Sequence, residues 1–192
     1  MVRIFDFLFS FFGLLVLSPV LLILFVITYF DTGSPLFRQE RIGRFEEPFT
    51  LIKFRTMQFD TASVASHLVD KSAITSIGSF LRKSHLDELP QLWNVLKGNM
   101  SLVGPRPALF SQEKLRDARK KHDVYRVRPG ITGLSQISGL DTSTPELLAE
   151  TDAKMIENLS LIDYFKYIIA TAGGKGGGLS LIHISEPTRP LH

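Results

Sequence analysis

The chain has 192 residues, a formal charge of +3 and a pI near 9.2, room for one compact domain plus a membrane element. It contains no cysteine, which excludes disulfides, thiolate nucleophiles and cysteine-ligated metals and fits a reducing cytoplasm. So mild a basic balance suits anionic lipid, nucleotide phosphate or nucleic acid about equally, and charge alone selects no partner.

From Ile4 to Phe30 the only ionisable residues are Asp6 and Tyr29, and Phe, Leu, Ile and Val dominate. An apolar run longer than about 18 residues is a candidate membrane helix. A cleaved signal peptide fits poorly, because Arg3 is a thin positive region and no small-residue cleavage site follows. Ser18-Pro19 interrupts the run near its middle, and proline removes a backbone donor and clashes with the preceding turn. Each arm of about 12 to 15 residues gives roughly 20 Å of helix, short of a hydrocarbon core of about 30 Å. On the residues alone, a re-entrant hairpin and a single kinked spanning helix both stay open. Arg38, Arg41, Arg44, Lys53 and Arg55 follow the apolar run closely, so the positive-inside rule places the main domain in the cytoplasm under either shape.

Asp31 to Pro35 is a turn cluster that ends the membrane element. Leu36 to Ile42 and Phe49 to Met57 form a hairpin around Gly43 to Pro48. Lys53 and Arg55, two apart on a strand, share one face, whether as ligand contacts or as a solvated edge. Gln58 to Ser76 reads as a loop with one short helix. Leu86, Leu89, Leu92, Trp93 and Leu96 then recur at helical spacing up to Gly98. Gly104 to Pro107 is rigid irregular chain, Glu113 to Asp123 a highly charged helix, and Pro129 to Gly133 an ordered loop. Pro145 opens a helix after Ser143-Thr144. Leu161 to Ile169 mixes Tyr164, Phe165 and Tyr167 with Lys166, a composition that suits a membrane-interface helix or core packing. The glycine cluster after Gly173 opens a tail expected to be disordered and without function.

Asp87-Glu88 precede the helix that contains Trp93, and Pro90 argues that its regular part starts there. A helix start offers backbone donors and a positive dipole end to a carboxylate or a phosphate. Ser84 and Asp87 also have capping-box spacing, so plain capping is the structural alternative. Arg82 lies close upstream, and Arg106, Arg126 and Arg128 lie in proline-stiffened loops. Arginine's planar fork matches phosphate oxygens. No P-loop, dinucleotide fingerprint or H-E-x-x-H motif is present, and the five histidines have no metal-ligand spacing.

Five blocks, in chain order, carry a resemblance: Phe37 to Gly43, Lys53 to Met57, Leu86 to Gly98, Met100 to Pro107 and Val127 to Gly133. They resemble the bacterial sugar transferases, small monotopic polyprenyl-phosphate phosphoglycosyltransferases, from about residue 1 to residue 176. The resemblance implies a helix-rich α+β fold in three parts. Residues 1–31 would form a re-entrant membrane helix broken at Ser18-Pro19. Residues 32–172 would form a cytoplasmic catalytic domain with a short β-hairpin and interfacial amphipathic helices. Residues 173–192 would be a disordered tail foreign to the family; it fits a truncation or read-through, with the native C-terminus missing.

The resemblance further implies that Asp87 is a nucleophile that attacks the phosphate next to the sugar of a UDP-sugar and releases UMP. Glu88 takes the proton from undecaprenyl phosphate, and Mg2+ binds Asp87 with substrate phosphates. Arg82, Arg106 and Arg128 would bind phosphate, with Lys53 and Arg55 as further candidates. The setting would be the bacterial inner membrane and the initiation of exopolysaccharide, capsule, O-antigen or glycoprotein glycan assembly. A homo-oligomer or downstream glycosyltransferases are left open as partners. Leu140-Asp141 stands where many relatives carry an arginine, and Asn99 where many carry an acid. The competing expectation is a non-catalytic anchored protein with a basic lipid- or partner-binding surface. Nucleic acid is not expected, since the Glu113 to Asp123 helix carries acids and no interleaved aromatics.

Overall fold

The computed structural model describes residues 2–58 and 73–174. The fold is helix-rich α+β. Most of the loop expected between Gln58 and Ser76, and the tail beyond residue 174, lie outside the described residues.

The apolar run is two helices, α1 (Val2–Val16) and α2 (Ser18–Thr32), bent by 65°. Among the described residues no single helix is long and apolar enough to cross a membrane. The break has a local cause. Pro19 has no N–H for the Leu15 carbonyl, and the Ser18 hydroxyl donates to that carbonyl at 2.8 Å instead. Around the pair, Phe7, Phe11, Phe12, Leu22, Ile23 and Phe30 are exposed, whereas Asp6, Ser10 and Thr28 are buried.

The hairpin forms from β1 (Leu36–Ile42) and β2 (Pro48–Phe54), antiparallel, with Leu36 opposite Phe54 and Ile42 opposite Pro48. The second strand stops three residues earlier than expected, and Met57 makes only an isolated bridge to Ile74. Next comes α3 (Ser76–Lys83), capped by Thr75, whose hydroxyl accepts from Gly78 N and donates to Asp31. The helix expected from Leu86 is a 3-10 turn, Leu86–Glu88, followed by α4 (Gln91–Lys97). Trp93 is 47 % exposed with the Lys97 ammonium over its ring, so it leaves the apolar stripe on which its spacing had placed it.

Two three-residue strands, β3 (Ser101–Val103) and β4 (Gly130–Thr132), pair in parallel, the second of them where an ordered loop was expected. Segments this short hold too few residues for a period-2 pattern. They need Gly104 and Gly130 at the contact, because a Cβ on Gly130 would meet Gly104 N at 2.0 Å. The remaining α-helices among the described residues are α5 (Glu113–Lys121), α6 (Leu134–Ile137), α7 (Pro145–Asn158) and α8 (Leu161–Ala172). On α8, Tyr164 is fully buried in a cluster with Val103 and Met155, while Ile162 and Ile169 stay exposed. The helix therefore serves the core on one face and keeps an apolar outer face.

The first helix of the bent pair is tied to the domain through its two charges, Arg3 and Asp6. Asp6 accepts from Ser101 Oγ, Leu102 N and Tyr164 OH, each at 2.9 Å. Arg3 donates to the Val95 and Leu96 carbonyls, closing the C-terminal end of α4 where the helix dipole favours a cation.

Candidate active site

The chain between α3 and α4 turns sharply. His85 has φ of 56°, an uncommon conformation for a residue with a Cβ, and the 3-10 turn that follows carries Asp87 and Glu88. The capping box does not form. The Ser84 hydroxyl donates back to the Phe80 carbonyl, and Pro90 rather than an acid precedes α4. Asp87, only 6 % exposed, is thus freed from capping. Together with Glu88 it faces an open cavity of about 630 Å³ lined by β2, Arg106, Pro107 and the α6–α7 connection.

Several cations share that wall. Lys53 and Arg82 lie within electrostatic reach of Asp87, and the Arg82 Nε donates to the buried Thr56 hydroxyl at 2.8 Å. Arg106 stands across the acids, its Nη2 3.1 Å from Glu88 Oε1. Burial, and then the Glu88 charge, push the Asp87 carboxyl up to about 6 against the pull of Lys53, Arg82 and Arg106. Burial also lowers the Lys53 ammonium, opposed chiefly by Asp87. Near neutral pH Asp87 is therefore mostly ionised in a buried, cationic setting, as a carboxylate nucleophile needs to be.

Of the phosphate-binding candidates, Lys53, Arg82 and Arg106 come together around Asp87 and Glu88, but Arg55 and Arg128 do not line this cavity. Arg55 donates to the Ser34 carbonyl and stacks over the Phe37 ring, a contact it shares with Lys53. Arg128 donates to the Gly98 carbonyl near α4's end, in the company of Arg3 and Arg44. Ser18 and Pro19 stand at the α1–α2 bend.

Three cavity cations were missed as site residues, Lys83, Arg119 and Arg41, and burial lowers the Arg41 guanidinium to about 10, with Arg106 adding to the effect. The signal for Arg41 was alternation with Gln39 on β1: both point inward, and Arg41 Nη2 donates to the Gln39 amide oxygen. Leu140 and Asp141 are on the cavity wall, so the departure from the family pattern falls inside the site.

For a magnesium ion the donor set is sparse. Among the described residues no group of three or more His, Asp or Glu could hold a metal. Adjacent Asp87 and Glu88 nevertheless fit a hard cation that takes one or two carboxylates and draws its other oxygens from substrate phosphates and water.

Residues 1–174 match the model of the bacterial sugar transferase family, and the chain belongs to that family. It is 39% identical over 170 residues to the uncharacterized sugar transferase EpsL of Bacillus subtilis, covering 88% of this chain and 84% of that one. It is 38% identical over 164 residues to the UDP-glucose:undecaprenyl-phosphate glucose-1-phosphate transferase of Caulobacter vibrioides, covering 80% and 61%. It is 33% identical over 187 residues to the undecaprenyl-phosphate galactose phosphotransferase of Salmonella typhimurium, covering 88% of this chain but 39% of that longer protein.

Proposed function

We propose that this sugar transferase moves a sugar 1-phosphate from a UDP-sugar to undecaprenyl phosphate and releases UMP. The observation that carries the reading is the buried, ionisable Asp87 ringed by Lys53, Arg82 and Arg106, with Glu88 beside it. The names of the relatives from Caulobacter and Salmonella supply the substrate class.

In the first step a carboxylate oxygen of Asp87 attacks the sugar-bearing phosphorus. The phosphoanhydride bond breaks, its electron pair leaves with UMP, and an acyl phosphate remains. Lys53, Arg82 and Arg106 balance the charge of the transferring group and of the departing phosphate. In the second step an oxygen of undecaprenyl phosphate attacks the same phosphorus and expels Asp87. Glu88 takes the proton of a monoprotonated acceptor, and its pairing with Arg106 holds it ready. Magnesium at Asp87 and the substrate phosphates would neutralise further charge on the transferring group.

The bent pair α1–α2 supports a re-entrant anchor. Its outside is apolar and three of its four buried positions, Asp6, Ser10 and Thr28 beside Leu24, are polar, the inverse of a water-facing surface. Such an anchor in the inner membrane, with the catalytic part on the cytoplasmic side, gives a lipid phosphate and a soluble nucleotide access to one cavity. The product would initiate exopolysaccharide, capsule or related glycan assembly. The reading is tested by UMP release from a UDP-sugar panel with undecaprenyl phosphate and magnesium. Release by wild type and none by Asp87→Asn supports it; equal release by both removes Asp87 as nucleophile.

A further inference from the structure

Arg106 lies on a loop with no regular structure, yet every carbonyl from Gly104 to Ala108 is held by a donor from outside the segment. Gln136 Nε2 donates to Gly104 O at 3.2 Å and Gly130 N to Pro105 O at 2.9 Å. Arg119 Nη1 donates to Arg106 O at 2.8 Å, Arg41 Nη1 to Pro107 O at 3.0 Å and Ile42 N to Ala108 O at 3.0 Å. Pro105 and Pro107 fix two further backbone angles. The Arg106 side chain itself is long and 57 % exposed, so where its guanidinium arrives depends on where this backbone is pinned.

The pin at Arg106 differs from that at Pro107, also an arginine, because its charge is fully buried against a carboxylate. Arg119 and Asp152 are 2 % and 0 % exposed. Arg119 Nε and Nη2 both reach Asp152 Oδ2, at 3.0 and 2.7 Å, and Ser135 Oγ donates to Asp152 Oδ1 at 2.6 Å. A buried ion pair is a poor way to gain stability, since desolvation offsets its attraction and apolar residues of similar size often do as well. What it supplies here is direction. With one edge of the guanidinium fork locked on Asp152, the remaining nitrogen points at one backbone oxygen.

We propose that Arg119, oriented by Asp152 and Ser135, is a positioning residue for the transfer reaction, fixing the Arg106 backbone so that the Arg106 guanidinium meets Glu88 and the substrate phosphates. The inference rests on the phosphate-transfer reading of the cavity. A displacement of about 1 Å in such a group can cost on the order of 100-fold in rate. Arg119→Lys keeps the charge and the ion pair but loses the fork that reaches Arg106 O.

The test is a double-mutant cycle on UMP release, run on full-length protein in detergent, with folding checked by a cooperative thermal transition. Arg119→Lys is expected to lower kcat roughly 10- to 100-fold in the wild-type background and less than about twofold in Arg106→Ala. The milder Ser135→Ala should repeat the pattern at smaller amplitude, and it decides the matter if Arg119→Lys fails to fold. Equal losses in both backgrounds would mean that Arg119 acts only on the fold, which overturns this inference alone. An Arg106→Ala variant with an unchanged rate would overturn the reading of the site itself.

Discussion

Glu88 and Arg106 meet at 3.1 Å in the wall of the cavity, with Arg106 more than half exposed. A pair with so exposed an arginine contributes about 1 kcal/mol or less to stability, so its value lies in aiming two groups at one ligand. Glu88→Gln should therefore leave folding intact and separate the two half-reactions. UMP is expected in a single burst without acceptor, while steady turnover with undecaprenyl phosphate falls by roughly 100-fold or more. Rapid-quench measurement of UMP checks both.

Asp87 binds its proton more tightly in the folded chain, near pH 6, than in the unfolded chain, near 3.8. Between those values the native state holds more protons, so this residue's contribution to stability is present at low pH and lost as pH rises through about 6. Asp87→Asn is expected to abolish turnover yet raise stability at pH 8 by about 3 kcal/mol, with the gain gone near pH 4. Thermal unfolding at the two pH values reads this directly.

The same shift sets the acid side of the rate. Attack requires the Asp87 carboxylate, so kcat/KM for the UDP-sugar should fall as pH drops through about 6. An acid limb near 4 would mean that cations hold the carboxyl down more strongly than burial raises it.

Asp6 joins α1, β3 and α8 through its three accepted hydrogen bonds. Asp6→Ala would strand a buried tyrosine hydroxyl, a serine hydroxyl and a backbone N–H, at a cost of about 3 to 5 kcal/mol. Asp6→Asn keeps one acceptor oxygen and should cost far less. Thermal unfolding of both variants in detergent, with UMP release below the transition, distinguishes this staple from a catalytic role.

Long apolar periods and proline positions were legible before any coordinates. The break at Ser18-Pro19, the hairpin from Leu36 and the start of α7 at Pro145 all follow from local chemistry. What the sequence obscured is set by distant partners. The β3–β4 pair exists because Gly104 and Gly130 let two backbones touch, and no period in either segment announces that. Arg55 and Arg128 resemble Arg82 and Arg106 as residues, but Ser34 O and Gly98 O claim them first. Arg119 read as one more charge on a charged helix, because its partner Asp152 is 33 residues away. Local sequence supplied the acids; tertiary contacts chose the cations.

The most direct test is to incubate the enzyme with a UDP-sugar and no lipid acceptor, quench it at low pH and weigh it intact. The mechanism requires a mass gain equal to one phosphosugar, mapped by fragmentation to Asp87, absent from Asp87→Asn and discharged by added undecaprenyl phosphate. Single-turnover UMP release with no such adduct at any time point would contradict it, and direct transfer between the two substrates would take its place.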